Sequence, residues 1–256
     1  MKHCRKSTPE PPKLTEFRAA NPQAKWDELR DHACYGDVRD ATRRDQGGLC
    51  AYCELSLTDD NEQIAHFHPK SDHAGTVNWA LTWENLWLAC KGGTQTHHND
   101  PACYRPPLPD NRSCDENKKD DIVDGHVLSP EEVPLFPRIF RFEQSPNEIR
   151  IMPDENGCEQ AGIPIEKVQR TIDVFNLNCQ RLAEARLSVY RPIESTLKKL
   201  RESSFSTEQK VEKQRQFAAR HLTIDAGHRW PRFFTLLRWQ FGMVAETHLN
   251  SLPYQG

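Results

Sequence analysis

Apolar positions along the chain fall into stretches of different period. Between residues 14 and 46 they recur at helical spacing: Leu14 and Phe17, Trp26 and Leu29, Val38 and Ala41. This predicts two amphipathic helices, the second stopped by Gly47-Gly48. Residues 1–12 are polar and proline-rich and read as an extended arm. Gln63–Phe67 reads as a short strand that breaks at Pro69. Trp79, Trp83 and Trp87 are spaced by four, which predicts one helical face turned to the core. Residues 91–113 carry Gly92-Gly93 and four prolines without a period, and read as a loop. Val133–Phe142 and Glu148–Met152 read as two short strands around a Ser145-Pro146-Asn147 turn. From Pro164 onward the spacing is helical: Ile165, Val168, Ile172 and Phe175 form one stripe. A long helix follows from Arg181 to about Ser203, with a kink expected at Pro192. Ser206 to Gln209 reads as a capping box. A strongly apolar helix closes the chain from Trp230 to Leu249. The expected organisation is an arm with helices (1–48), a central unit (49–125), a short β segment (126–163) and a helical region (164–256).

Composition narrows the function classes. The chain has 256 residues, 36% of them hydrophobic, and a formal net charge of -3. Such a balance does not advertise nucleic-acid binding over the whole surface, so phosphate contacts would come from local patches. Arg39, Arg43 and Arg44 are one such patch, though charges like these are more often a solvated face. The lack of a basic excess favours a partner that supplies part of the grip. There is no apolar run long enough to span a membrane. The polar start, Met-Lys-His-Cys-Arg-Lys, does not read as a signal peptide. Nine cysteines without export argue for thiols and metal rather than disulfides.

The chemistry concentrates between Leu49 and Lys119. Cys50 and Cys53 stand two residues apart, so a tight turn points both at one ion. Cys90 and Cys114 follow further along. Cys103, His97 and His98 are alternatives for the fourth zinc ligand, and Cys114 is preferred because it leads directly into a helix. Inside this cysteine bracket lie His66 on the expected strand and Asn85 beyond it. A one-metal nuclease centre needs those parts in that order. A histidine serves as general base on water, an asparagine pins the backbone that carries it, and a divalent cation holds the phosphate. Asp115, at the start of the next helix, is the candidate metal ligand. Asn117 and Lys118 are further candidates for metal or phosphate contact. Each has a blander reading: His66 a surface strand residue, Asn85 a helix cap, Asp115 a favourable charge at a helix start.

Four segments, Leu49–Glu54 (LCAYCE), Ile64–Ser71 (IAHFHPKS), Thr82–Cys90 (TWENLWLAC) and Cys114–Lys119 (CDENKK), resemble the HNH endonucleases of bacterial anti-phage systems, specifically the PtuB type of Septu and retron-associated defence. Ile139–Glu143, Glu148–Arg150 and Arg170–Asn178 extend the resemblance over most of the chain. It implies an α+β, mostly α fold: a zinc-stapled ββα-metal (HNH) core with N-terminal helices and a C-terminal helical region. It implies metal-dependent cleavage of DNA or RNA, transfer RNA included, in the bacterial cytoplasm. His66 would be the base, Asn85 the middle motif residue and Asp115 the ligand on the helix. Cys50, Cys53, Cys90 and Cys114 would hold a structural Zn²⁺, and Mg²⁺ or Mn²⁺ would serve catalysis. The implied partner is a PtuA-type ABC or SMC-like ATPase, in some systems with a retron reverse transcriptase and its RNA–DNA product.

One position departs from the pattern. The family has an acid immediately before the base, and this chain has Ala65, which offers no ligand. Three explanations stand: an introduced silencing substitution, a natural copy that only binds, or a substitute ligand from His68 or Asp72. On a continuing strand His68 would share the face of His66. The rival to a nuclease is a zinc-stapled adaptor that docks on the ATPase through the C-terminal helices.

Overall fold

The computed structural model describes every residue except Leu108, inside the stretch expected to be a loop, and Pro253. Three helices open the chain: α1 (Pro12–Ala20), α2 (Trp26–Arg30) and α3 (Tyr35–Asp45). The expected first helix is thus two, separated at Asn21-Pro22. α1 starts with proline in its first turn, where a missing N–H costs nothing. α3 buries Val38, Ala41 and Thr42 on one face. Gly47 and Gly48 follow it with φ of 60° and 72°, a conformation that glycine adopts without strain.

A two-stranded antiparallel hairpin comes next. β1 (Gln63–His66) pairs with β2 (Leu86–Ala89), with Ala65 opposite Trp87 and His66 opposite Leu86. This corrects two expectations. The tryptophan segment is not a helix: Trp83–Asn85 forms a single 3-10 turn and Trp87 lies on β2. The spacing of four was accidental, and pairing with β1 won over local periodicity. Trp83 and Trp87 are nonetheless buried, as a core role required, whereas Trp79 is only half-buried and lies against the His68 ring, 4.1 Å between centroids. Also, β1 ends at His66, so strand alternation does not extend to His68. The short helix α4 (Asp115–Lys118) follows the long connection.

The remainder is a second hairpin and a helical layer. β3 (Phe140–Gln144) pairs with β4 (Ile149–Pro153). Then come α5 (Glu155–Ala161), α6 (Ile165–Val174), α7 (Gln180–Glu202), α8 (Thr207–His221), α9 (Phe234–Phe241) and α10 (Met243–Ser251). α7 runs unbroken through Pro192. Ser206 and Gln209 cap α8 reciprocally. The final apolar helix is two helices, because Gly242 takes φ 57° between α9 and α10. Elements of all four expected segments share one core, from Met1 and Leu14 through Trp83 and Phe140 to Leu236. A satellite core joins Leu49 to Trp230, Phe234, Leu237 and Phe241.

The arm also departs from expectation. Met1, Lys2, Cys4 and Lys6 are buried. The Lys6 ammonium lies 3.7 Å from the centre of the Trp83 ring and 4.6 Å from that of Trp87 and donates to the Leu86 carbonyl. Two aromatic faces and a carbonyl replace part of the lost water. Burial still drives its pKa down to about 7. No helix among the described residues is long and apolar enough to cross a membrane.

Candidate active site and metal centre

The cysteine cluster is assembled by three elements. Cys50 and Cys53 sit in a tight turn after α3, where the Glu54 amide donates to the Cys50 carbonyl at 3.1 Å and Glu54 takes φ 63°. The Ala51 amide donates to Leu88 of β2 at 3.1 Å. The buried Gln46 side chain bridges Leu49 and Leu88. Cys90 follows β2 directly, and Cys114 precedes α4. All four sulfurs lie within 4.8 Å of one another and are buried. Specific separations are 3.7 Å for Cys50–Cys114, 3.6 Å for Cys53–Cys90 and 3.8 Å for Cys90–Cys114. Four sulfurs held about 2.3 Å from a tetrahedral zinc stand about 3.8 Å apart. The cluster therefore fits that ion without rearrangement, and the spacings are far beyond a disulfide. Cys103 lies elsewhere, accepting from the Asn61 amide at 2.9 Å. His98 accepts from the Asp100 amide at 3.0 Å. Of the candidate fourth ligands, only Cys114 joins the cluster.

Four thiolates around one Zn²⁺ leave a surplus of negative charge. Two buried arginines, Arg181 and Arg186, lie within its electrostatic reach. Arg181 donates through Nε to the Asn111 carbonyl at 2.7 Å and also to the Ala102 carbonyl and the Ser113 hydroxyl. Ser113 in turn lies 3.3 Å from the Cys114 sulfur. Arg186 reaches the Leu177 carbonyl at 2.6 Å. Among the influences on both guanidinium groups are the charges of Cys53 and Cys114. Buried cations beside a dianionic centre offset part of each other's desolvation.

The second centre begins one residue away from the first. Asp115 follows Cys114, and burial pushes its carboxyl up to about 6. His66, at the end of β1, is buried and held down at about 3, chiefly by desolvation and then by the Lys70 charge. It is thus neutral across the working range, as a base must be. Its Nε2 lies 3.3 Å from the Ala80 carbonyl. A carbonyl only accepts, so Nε2 carries the proton and Nδ1 keeps the lone pair. Lys70 and Lys118 both act electrostatically on His66 and on Asp115.

Asn85 has a distinct task. Its Oδ1 accepts from the His68 amide at 2.7 Å, and its Nδ2 donates to the carbonyls of His68 and Trp79 at 2.9 and 2.8 Å. One buried side chain thus locks the turn that leaves His66. Trp26 fixes the imidazole from the side, its ring edge-on at 4.5 Å between centroids.

Ala65 is fully buried. Strand alternation puts it on the same face as Gln63, whose amide reaches Glu116 of α4 at 3.4 Å. A longer acid at 65 would project toward α4. His68 does not stand in for it. Its Nδ1 lies 2.8 Å from Asp124 and its Nε2 2.9 Å from Asp72, so neither nitrogen is free for a cation. Asp72 is used as well, accepting from the Ala74 amide at 2.8 Å. Asn117 donates to the Val174 carbonyl at 2.9 Å, tying α4 to α6. Lys118 is buried with its ammonium on the Lys119 carbonyl at 2.8 Å and 4.0 Å from Asp115.

Sequence reasoning gave no role to Lys70, although it stands inside the quoted motif. It missed Trp26 and Asp124, which arrive from distant stretches and leave no local signal.

Comparison with known proteins supplies the family. A protein of Escherichia coli that carries the name of a retron Ec83 HNH endonuclease is 36% identical over 196 residues, covering 68% of this chain and 73% of that protein. The chain belongs to the retron HNH endonuclease family. A second member, named for retron Vc95 of Vibrio cholerae, is 30% identical over 96 residues, or 36% of this chain and 38% of that protein. No family model matches the chain. The family membership agrees with the resemblance to HNH endonucleases at the level of retron nucleases.

Proposed function

We propose that the chain is the nuclease subunit of a PtuB-type anti-phage defence complex, with β1, β2 and α4 as its ββα-metal core. The observation that carries this is the base: a buried neutral histidine, its turn clamped by Asn85, under the charge of the same two lysines that act on Asp115. His66 would take the proton of the attacking water at Nδ1 while the water oxygen bonds to phosphorus and the bridging oxygen leaves. Lys70 and Lys118 would counter phosphate charge. Because this chemistry acts on the phosphate, it suits DNA and RNA alike, transfer RNA included.

The catalytic cation of the family, Mg²⁺ or Mn²⁺, is a different matter. Such hard ions want several oxygen ligands. Here Asp115 is the candidate carboxylate and Ala65 contributes none, so the donor set does not fit the ion as it stands. We therefore assign the chain an intact base and an impaired metal site. Ala65 also favours a second reading, a zinc-stapled adaptor that docks on a PtuA-type ATPase, with or without a retron reverse transcriptase and its RNA–DNA product.

A cleavage assay separates the two. With Mn²⁺ and the ATPase partner present, Ala65→Glu should cut plasmid DNA or total RNA at least about a hundredfold faster than the chain as written, given that one electrostatic group at such a centre is worth about that much. Ala65→Glu combined with His66→Ala should not cut. If Ala65→Glu stays inactive on both substrates, the adaptor reading replaces the nuclease.

A further inference from the structure

A cavity of about 630 Å³ adjoins the candidate catalytic centre. Its lining includes Lys25, Trp26, Lys70, His73, Asn78 and Ala80. Two of these residues, Trp26 and Ala80, are the ones that touch His66, and Lys70 is the cation that acts on it. The cavity and the base therefore share walls. His66 itself is buried behind Trp26 and Ala80, so a ligand in the cavity lies one side chain away from the imidazole.

The walls are built rather than incidental. One is the segment before and into α2, the other the turn from Lys70 to Asn78. Asn78 joins them, donating to the carbonyls of Pro22 and Ala24 at 3.1 and 3.0 Å. Asp72 shapes the second wall through His68 and the Ala74 amide. The lining chemistry has two parts. Trp26 is half-buried, leaving part of its ring open to the cavity. Lys25 and Lys70 are exposed, and neither has an ion-pair partner among the described residues, whereas the nearby Asp27 is paired with Arg30 at 2.8 Å. An aromatic face with free ammonium groups beside it suits a base and its phosphate. The volume is that of a small-ligand pocket. It accommodates one nucleotide but not a base pair with two backbones.

We infer that this cavity receives an unpaired nucleotide flanking the scissile phosphate, its base against Trp26 and its phosphate against Lys70, so that the substrate is single-stranded nucleic acid or a single-stranded loop. This rests on the nuclease reading and deepens it. Trp26 would then serve twice, buttressing His66 with one part of its ring and holding the base with another.

Binding to the full-length chain tests the idea without cleavage. Fluorescence anisotropy would compare a labelled single-stranded dT oligomer, the matching rU oligomer and a blunt duplex of equal length. Single strands should bind at least about tenfold tighter than duplex. Trp26→Ala should lose about tenfold of that affinity, Trp26→Phe should keep most of it, and Lys70→Gln should weaken it, with duplex binding unchanged throughout. These factors follow from the known cost of removing one stacking partner. A preference for dT or rU assigns the sugar, and either supports the inference. Equal affinity for duplex, or unchanged affinity in both Trp26→Ala and Lys70→Gln, overturns it. Should Trp26→Ala fail to fold, Lys70→Gln at an exposed position still decides. If Ala65→Glu cuts duplex DNA and spares single strands, this inference fails while the nuclease reading survives.

Discussion

Two centres meet at the start of α4 and are built to different standards. Cys114 completes a cluster whose four sulfurs stand at the separations a zinc ion imposes. The next residue, Asp115, belongs to the proposed catalytic centre, in which His66 is the proposed base and Ala65 stands where the family resemblance implies an acid. A zinc ion in the cysteine cluster would tie together the turn after α3, the end of β2 and the start of α4, so each ligand should matter to the fold. In the proposed catalytic centre Asn85 also holds the backbone, whereas the side chain at position 65 carries no such structural bond. An alanine there is a good β-strand neighbour for Trp87 and leaves the hairpin intact.

Changes at the zinc centre should have the largest effect. Cys114→Ser should abolish stoichiometric zinc and cooperative unfolding, since structural zinc sites supply about 10 kcal/mol or more. Cys103→Ser should keep one zinc per chain by elemental analysis. A chain that loses its zinc through Cys103→Ser instead would break the contrast. Next comes the Asn85 clamp. Asn85→Ala leaves the His68 amide and two carbonyls unpaired, a loss of about 2–4 kcal/mol in chemical denaturation. It should also remove the activity of the Ala65→Glu chain, because the His66 turn is no longer fixed. Zinc content should stay at one.

The zinc bracket was legible in the sequence because cysteine spacing is set by chain geometry near one ion. Asn85 does bond the backbone just after β1, the contact that the proposed role for it requires. The tryptophan stripe misled because a period of four describes a helix only when no strand competes for the segment. His68 misled for a related reason: alternation holds only while the strand continues, and β1 stops at His66. The buried arm was hidden because Lys2 and Lys6 read as solvated charges, whereas two tryptophan faces make burial of Lys6 tolerable. The split of the last helix turned on the single Gly242. Trp26 and Asp124 reach His66 and His68 by tertiary packing that no local pattern encodes, whereas Lys70 lay inside a quoted motif without a role assigned to it.

The smallest expected effect is a pH dependence. His66 has a folded pKa near 3 against about 6.5 unfolded. The unfolded chain therefore takes up the proton first, and stability falls as pH drops from about 6.5 toward 3. Between pH 6.5 and 5 this amounts to about 2 kcal/mol. The slope should flatten in His66→Phe, which keeps an aromatic ring beside Trp26. An imidazole that titrates near 6.5 by NMR would contradict the buried, neutral base.

The most direct test of the contrast between the two centres counts metals rather than turnover. Zinc content and Mn²⁺ affinity would be measured on the chain as written and on Ala65→Glu, by elemental analysis and electron paramagnetic resonance. The account predicts one zinc per chain in both and Mn²⁺ binding at least about tenfold tighter in Ala65→Glu, as expected for a restored ligand. Equal Mn²⁺ affinity in the two chains would contradict it, because position 65 would then not belong to a metal site.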